Sequence, residues 1–236
     1  MSAPGIVTDP LSVAYLDHLA AERVPPNTIA SRARVLRSIN TAGTATREEV
    51  ETWWATRRHL SAGTRANDLA CLRAFYKWAR RWEHRDDDPT LRIDAPRVDK
   101  GLPRPMSRAD LRKLLDAAPD DLRRAVALGA YAGLRVSEVA ALHWRDVDIE
   151  TRRARILHSK GGKPRMVALG AVLMDHLLPD TGGYVVTGTD TPVSAAQLQR
   201  RVNRAIRNAG VDGTFHTLRH RYGTLAYQAT RDLVAV

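Results

Sequence analysis

The chain has 236 residues, enough for one large domain or two small ones with a real hydrophobic core. Hydrophobic residues make up 44% and charged residues 27%, and no apolar run approaches the roughly 18 residues a membrane-spanning helix needs, so a soluble globular protein with no membrane partner is expected. Lys and Arg outnumber Asp and Glu by 37 to 26, a formal net charge of +11, which makes a polyanion the natural partner unless the arginines only reflect the base composition of the source genome.

The start, Met1-Ser2-Ala3-Pro4-Gly5, has neither the basic nor the apolar region of a secretory signal, which points to the cytoplasm. Everything before about residue 84 reads as helix. A first segment covers Leu11 to Ala21, and Asn27, after Pro25-Pro26, is placed to cap a second that runs through Ile39. Thr46-Arg47-Glu48-Glu49 is a capping box opening a third. A fourth runs from about Ser61 to Trp82, with Leu69, Leu72, Tyr76 and Ala79 at helical spacing on a core side. Arg73, Lys77 and Arg80 cluster on an adjoining arc, which is either a solvated face or a DNA phosphate-contacting one. Cys71, the lone cysteine, falls in the apolar pattern and is expected as a buried thiol; it can form neither an internal disulfide nor a Cys-rich zinc site.

Between Glu83 and Arg104 the periodicity breaks into Asp86-Asp87-Asp88-Pro89, Ala95-Pro96 and Gly101-Leu102-Pro103, the composition of a linker. The division expected is therefore a helical domain over 1–84, a linker over 85–102 and a second domain over 103–236. Ser107-Arg108-Ala109-Asp110 opens the second domain with another capping box, followed by helices at about 107–117, 120–132 and 136–142. Three short β-prone runs follow, Val147–Ile149, Ala154–Leu157 and Met166–Leu169, with Gly161-Gly162 as a hairpin turn between the last two. Helices resume after Gly170, again over about 194–208, and from His216 onward. The fold class is mainly α with a small antiparallel β-sheet (α+β).

Three motifs in the second domain carry chemistry. Arg135 follows the Gly133 break, so its guanidinium can be presented at a helix start, and Glu138 three residues on can hold that side chain or serve the cap. Lys160 sits just before the Gly161-Gly162 turn, and a lysine near arginines tends toward the lower pKa that a proton donor to a leaving alkoxide needs. His216 and Arg219 are three apart on one helical face and could share a phosphate. His220 lies four from His216, but Thr-Leu-Arg between them supplies no glutamate and puts a cation where it would repel a metal, so no metal is expected.

The order Gly133-Leu134-Arg135-x-Ser137-Glu138, then Ser159-Lys160-Gly161-Gly162-Lys163-Pro164-Arg165, then His216-x-Leu218-Arg219-His220 resembles the tyrosine recombinase (phage integrase) family over nearly the whole chain. The resemblance implies a helical core-type DNA-binding domain followed by a catalytic domain in which Arg135, Lys160, His216 and Arg219 surround a scissile phosphodiester. It implies attack by a tyrosine, no nucleotide cofactor and no metal, with duplex DNA at attachment or core-type sites as partner and possible homo-oligomers on that DNA. The family places a further His or Trp and then the nucleophilic tyrosine some tens of residues past its His-x-x-Arg motif, positions that this sequence, ending at Val236, does not contain. Tyr222 and Tyr227 lie too near Arg219 to be that nucleophile and are expected to pack the helix. Two functions remain open at this point: an integrase that needs a tyrosine segment to cleave, or a nucleophile-less DNA-binding regulator or competitor at recombination sites.

Overall fold

The computed structural model describes residues 7–99, 101, 104–157, 163–177 and 182–231, and it divides into two units, Met1–Gly101 and Leu102–Val236. The first is helical throughout. Its α1 (Pro10–Ala21), α2 (Pro26–Ile39), α3 (Arg47–Thr56) and α4 (Ala62–Arg81) surround a core of Tyr15, Val35, Leu36, Val50, Trp53, Leu69, Leu72, Phe75 and Tyr76. A single 3₁₀ turn, Arg57–His59, follows α3. The four residues assigned to the core side of α4 are all buried, as is Cys71, whose sulfur lies 3.9 Å from the Ser31 hydroxyl.

Helix ends follow from local chemistry. The Thr46 hydroxyl accepts from Glu49 N at 3.3 Å and the Glu49 carboxylate accepts from Thr46 N at 2.8 Å, so the capping box is complete. At Ser107 only half of a box forms: its hydroxyl accepts from Asp110 N at 3.0 Å, and the shorter Asp110 side chain meets that hydroxyl at 2.7 Å. Asn27 is not the cap of α2. Pro25 occupies that position, and the helix begins at Pro26, where a proline's missing N–H costs nothing and its φ is already helical.

The stretch read as linker is partly structured. Arg85 donates to the carbonyls of Gly43 at 2.8 Å and Ala45 at 3.1 Å, and Ile93 is buried in the first core. Arg73 reaches the Ile93 carbonyl at 2.5 Å. One apolar anchor and two arginines hold a segment whose composition shows no period. Arg73 is thereby half-buried and engaged, whereas Lys77 and Arg80 stay exposed.

In the second unit α5 (Arg108–Ala117), α6 (Asp120–Tyr131), α7 (Val136–Ala141), α8 (Ala171–Met174), α9 (Ala195–Asn208) and α10 (Phe215–Thr230) pack with a three-stranded antiparallel sheet. The sheet order is β1 (Val147–Asp148), β2 (Arg153–Ile156), β3 (Arg165–Ala168), with Ala154 opposite Val167 and Ile156 opposite Arg165. Ala154 and Ile156 point into the core and their neighbours outward, the period-two pattern of a one-faced sheet. The centre is α6, whose Ala125, Val126, Ala127 and Leu128 are fully buried; it packs against α5, α7, α8, α9 and α10. No described helix is long and apolar enough to cross a membrane. The Gly161-Gly162 turn and Lys160 lie outside the described residues.

Because α3 carries Trp53 and Trp54, loss of its cap is readable by fluorescence. Thr46→Ala should lower the free energy of unfolding of the first unit by about 1 kcal/mol in a urea titration.

Candidate functional site

The site is built where α6 stops. Gly133 takes φ +63°, and a Cβ there would collide with the Tyr222 ring, 2.8 Å from its Cε1, so both backbone freedom and space demand glycine. The next residue, Leu134, is fully buried and pins the turn. Arg135 then stands at the N-cap of α7, extended at φ −72° and ψ 153°, with its side chain leaving the helix start.

Glu138 holds that arginine twice, accepting from Arg135 N at 2.9 Å and from Arg135 Nη1 at 2.9 Å. The same carboxylate takes Arg165 Nη1 at 2.8 Å and Nη2 at 2.9 Å, a two-pronged bond from β3. Its side chain is 0% exposed, while those of Arg135 and Arg165 are 39% and 35% exposed. Burial alone would raise the Glu138 pKa, but the bonds from Arg165 and Arg135 prevail and hold it at about 2. An ionised carboxylate inside the protein thus fixes two partly exposed guanidiniums.

The third wall is α10. Gly129 of α6 lets the helices cross closely: a Cβ there would sit 3.0 Å from the Phe215 ring and 3.5 Å from Leu218. Asn203 of α9 accepts from Phe215 N at 2.9 Å and fixes where α10 begins. With Phe215 and Leu218 inward, His216 is exposed and Arg219 half-buried on the neighbouring face. Arg219 Nη1 donates to the Gly133 carbonyl, tying α10 to the turn that presents Arg135. Burial lowers the Arg219 pKa, and Arg135 lowers it further. The His216 pKa is likewise lowered, first by burial and then by His220, Arg219 and Arg135.

The structure therefore gathers Arg135, His216 and Arg219 into one electrostatic neighbourhood. Lys160 lies outside the described residues. Sequence reasoning gave no role to Arg165 or Asn203. A buried acid with only one arginine partner is the signal that could have found Arg165, because strand alternation places that residue on the Glu138 side of β3. His216 and His220 meet edge to face at 4.2 Å, but among the described residues no group of three His, Cys, Asp or Glu side chains is placed to hold a metal. Tyr222 packs on Gly133 as expected. Tyr227 is less enclosed, at 39% exposed, because burial along α10 falls off after Leu218. Arg135 and Arg165 bond the one carboxylate and Arg219 lies within its electrostatic reach, so the guanidiniums outnumber the acid they surround.

Residues 104–236 match the model of the phage integrase family. The chain is 32% identical to tyrosine recombinase XerC of Chromobacterium violaceum over 94% of this chain and 82% of that one. The integrase of mycobacterium phage Brujita is 26% identical, covering 96% of this chain and 81% of the other, with a TM-score of 0.51. Lambda integrase bound to DNA shares the fold, with a TM-score of 0.79 at 18% identity over 98% and 90% of the two chains. The chain belongs to the phage integrase family, the tyrosine recombinases.

A folded-state pKa of about 2 against an ordinary 4.5 means that Glu138 contributes stability in full above pH 4.5 and loses it as pH falls toward about 2. Urea unfolding of the wild type should weaken across that interval, and Glu138→Gln should start less stable at neutral pH and show a shallower acid slope. Arg165→Ala, which strips the carboxylate of two bonds, should cost about 3 kcal/mol at pH 7. Parallel acid slopes for wild type and Glu138→Gln would refute the assignment.

Proposed function

We propose that the chain is a site-specific DNA recombination protein of the tyrosine recombinase type that acts in the cytoplasm, binding duplex DNA at attachment or core-type sites and arranging Arg135, His216 and Arg219 around the scissile phosphate. What carries this reading is the convergence of the three side chains at a turn braced by the buried Glu138. In-line displacement at a phosphodiester spreads negative charge over the non-bridging oxygens. Fixed guanidiniums lower that barrier because they need not reorganise as the charge develops. His216, whose pKa is lowered by burial and by His220, Arg219 and Arg135, can donate a hydrogen bond to the phosphate as it gathers charge.

Lys160 is the proposed donor to the departing 5′ oxygen. A phosphotyrosyl intermediate keeps the energy of the broken bond, so resealing needs no nucleotide cofactor, and the arginines supply the positive charge that a metal would otherwise bring. Self-association on DNA is part of the proposal, since exchange joins two duplexes.

A second reading, a regulator or competitor that occupies such sites without cutting, is favoured by one observation. The Tyr222 ring is wedged against Gly133, and its movement to phosphorus would undo the turn that holds Arg135. On this ground Tyr222 is not the attacking group.

Footprints on candidate attachment sites should show Arg135→Ala and Arg219→Ala losing protection over a few nucleotides at the scissile position. Uniform fading would make these residues general electrostatic contacts. On a nicked suicide substrate this chain should form no covalent protein–DNA adduct; an adduct would overturn the second reading, and one mapped to Tyr222 would overturn the packing argument as well.

A further inference from the structure

The first unit contains a buried acid that the reading above does not use. Asp68 of α4 is 0% exposed and bonds two arginines from different elements: Arg34 Nη2 of α2 at 2.6 Å and Arg57 Nε, after α3, at 3.1 Å. Arg57 is fixed further by Nη2 on the Ser38 hydroxyl at 3.1 Å and by its guanidinium lying 4.6 Å over Trp53. Ser38 in turn accepts from Trp53 Nε1 at 3.1 Å and donates to the Val35 carbonyl at 2.5 Å. One turn before Asp68, Arg65 lies 4.6 Å over Trp54, whose ring neighbours Trp53 at 6.2 Å. The nearby acids Glu48 and Glu49 are engaged with Arg47 and with the cap at Thr46. Two guanidiniums therefore share one carboxylate, and a third lies over the neighbouring ring.

The two bonds of Asp68 are not equivalent in outcome. Arg57 is nearly enclosed, its side chain 12% exposed, and completes the fold. Arg34 is 47% exposed and uses only Nη2 on Asp68, so its other N–H groups are available to an acceptor outside the protein. A single strong bond at the guanidinium end of a long side chain removes rotamer freedom before any ligand arrives, which is preorganisation. This patch lies on the α2 flank of α4. Arg73, which reaches Ile93, and the exposed Lys77 and Arg80 lie on the opposite flank, since residues five, nine and twelve after Asp68 fall across the helix from it.

We propose that Asp68 is a positioning residue that presents Arg34 to a phosphate of duplex DNA, making the α2 flank of α4 the DNA-contacting face of the first unit; this rests on the DNA-binding reading above. Arg65, held by a ring rather than an acid, adds its undiminished charge to that face.

The test uses the full chain and a fluorescein-labelled mixed-sequence duplex, titrated by anisotropy over a salt series, with thermal melting of every variant measured alongside. Arg34→Ala should weaken binding several-fold and reduce the log–log salt slope by about 0.9, the signature of one lost phosphate contact. Asp68→Asn should weaken binding to a similar degree, and the Arg34→Ala/Asp68→Asn double variant should bind no worse than the weaker single one, because Asp68 acts through Arg34. Should Asp68→Asn fail to fold, Arg34→Ala alone decides, because a half-exposed side chain can be removed without emptying the core. An unchanged slope for Arg34→Ala, or a drop confined to Lys77→Ala and Arg80→Ala, overturns the proposal. So does full additivity in the double variant, which would make Asp68 a fold element only. Failure of the wild type to bind the duplex at low salt would instead sink the DNA-binding function itself.

Discussion

One buried carboxylate organises the second unit. Glu138 accepts hydrogen bonds from a helix start and from the outer strand of the sheet, so Arg135 and Arg165 cannot move independently. An ionised group in this position is tolerable only while both guanidiniums stay in place, because a charge left without its partners inside a protein is strongly penalised. The sheet register, the α6–α7 turn and the direction of Arg135 therefore form a single mechanical condition. The chemistry proposed for the site inherits that stiffness.

Arginine is used here in two ways that formal charge does not distinguish. Arg85, Arg123, Arg124 and Arg221 direct their guanidiniums to main-chain carbonyls, at Gly43 and Ala45, at Leu115 and Ala118, at Val186 and at Met106 respectively. These are internal fasteners that cap helix ends and loops. The excess of +11 is real, but formal charge does not separate these fasteners from arginines such as Arg34 and Arg135, which stay 47% and 39% exposed beside a buried carboxylate.

Much of the fold was legible because it obeys local rules. Thr46 and Ser61 announce their helices with side-chain caps, the apolar period of α4 predicts its buried face, and the three β-prone runs pair as an antiparallel meander. Misreadings arose where contacts distant in sequence decided the outcome. The 85–93 segment has a disordered composition but is held by carbonyl contacts at Gly43, Ala45 and Ile93 that no window of sequence contains. Arg73 looked like part of a basic arc because helical spacing says nothing about a loop that returns to cover it. In the site, Arg135, His216 and Arg219 were legible from motif order, whereas the brace from Arg165 required knowing that β3 runs beside α7.

The bond from Arg219 to the Gly133 carbonyl joins residues 86 positions apart. A chain emerging from the ribosome has presented Gly133 and Arg135 long before α10 exists, and during that interval the site lacks the helix that carries His216 and Arg219. Contacts of such sequence separation form late, after the loop-closure entropy has been overcome. The arrangement of Arg135, His216 and Arg219 is thus a product of complete folding, and a partially synthesised copy does not possess the geometry on which the proposed function rests.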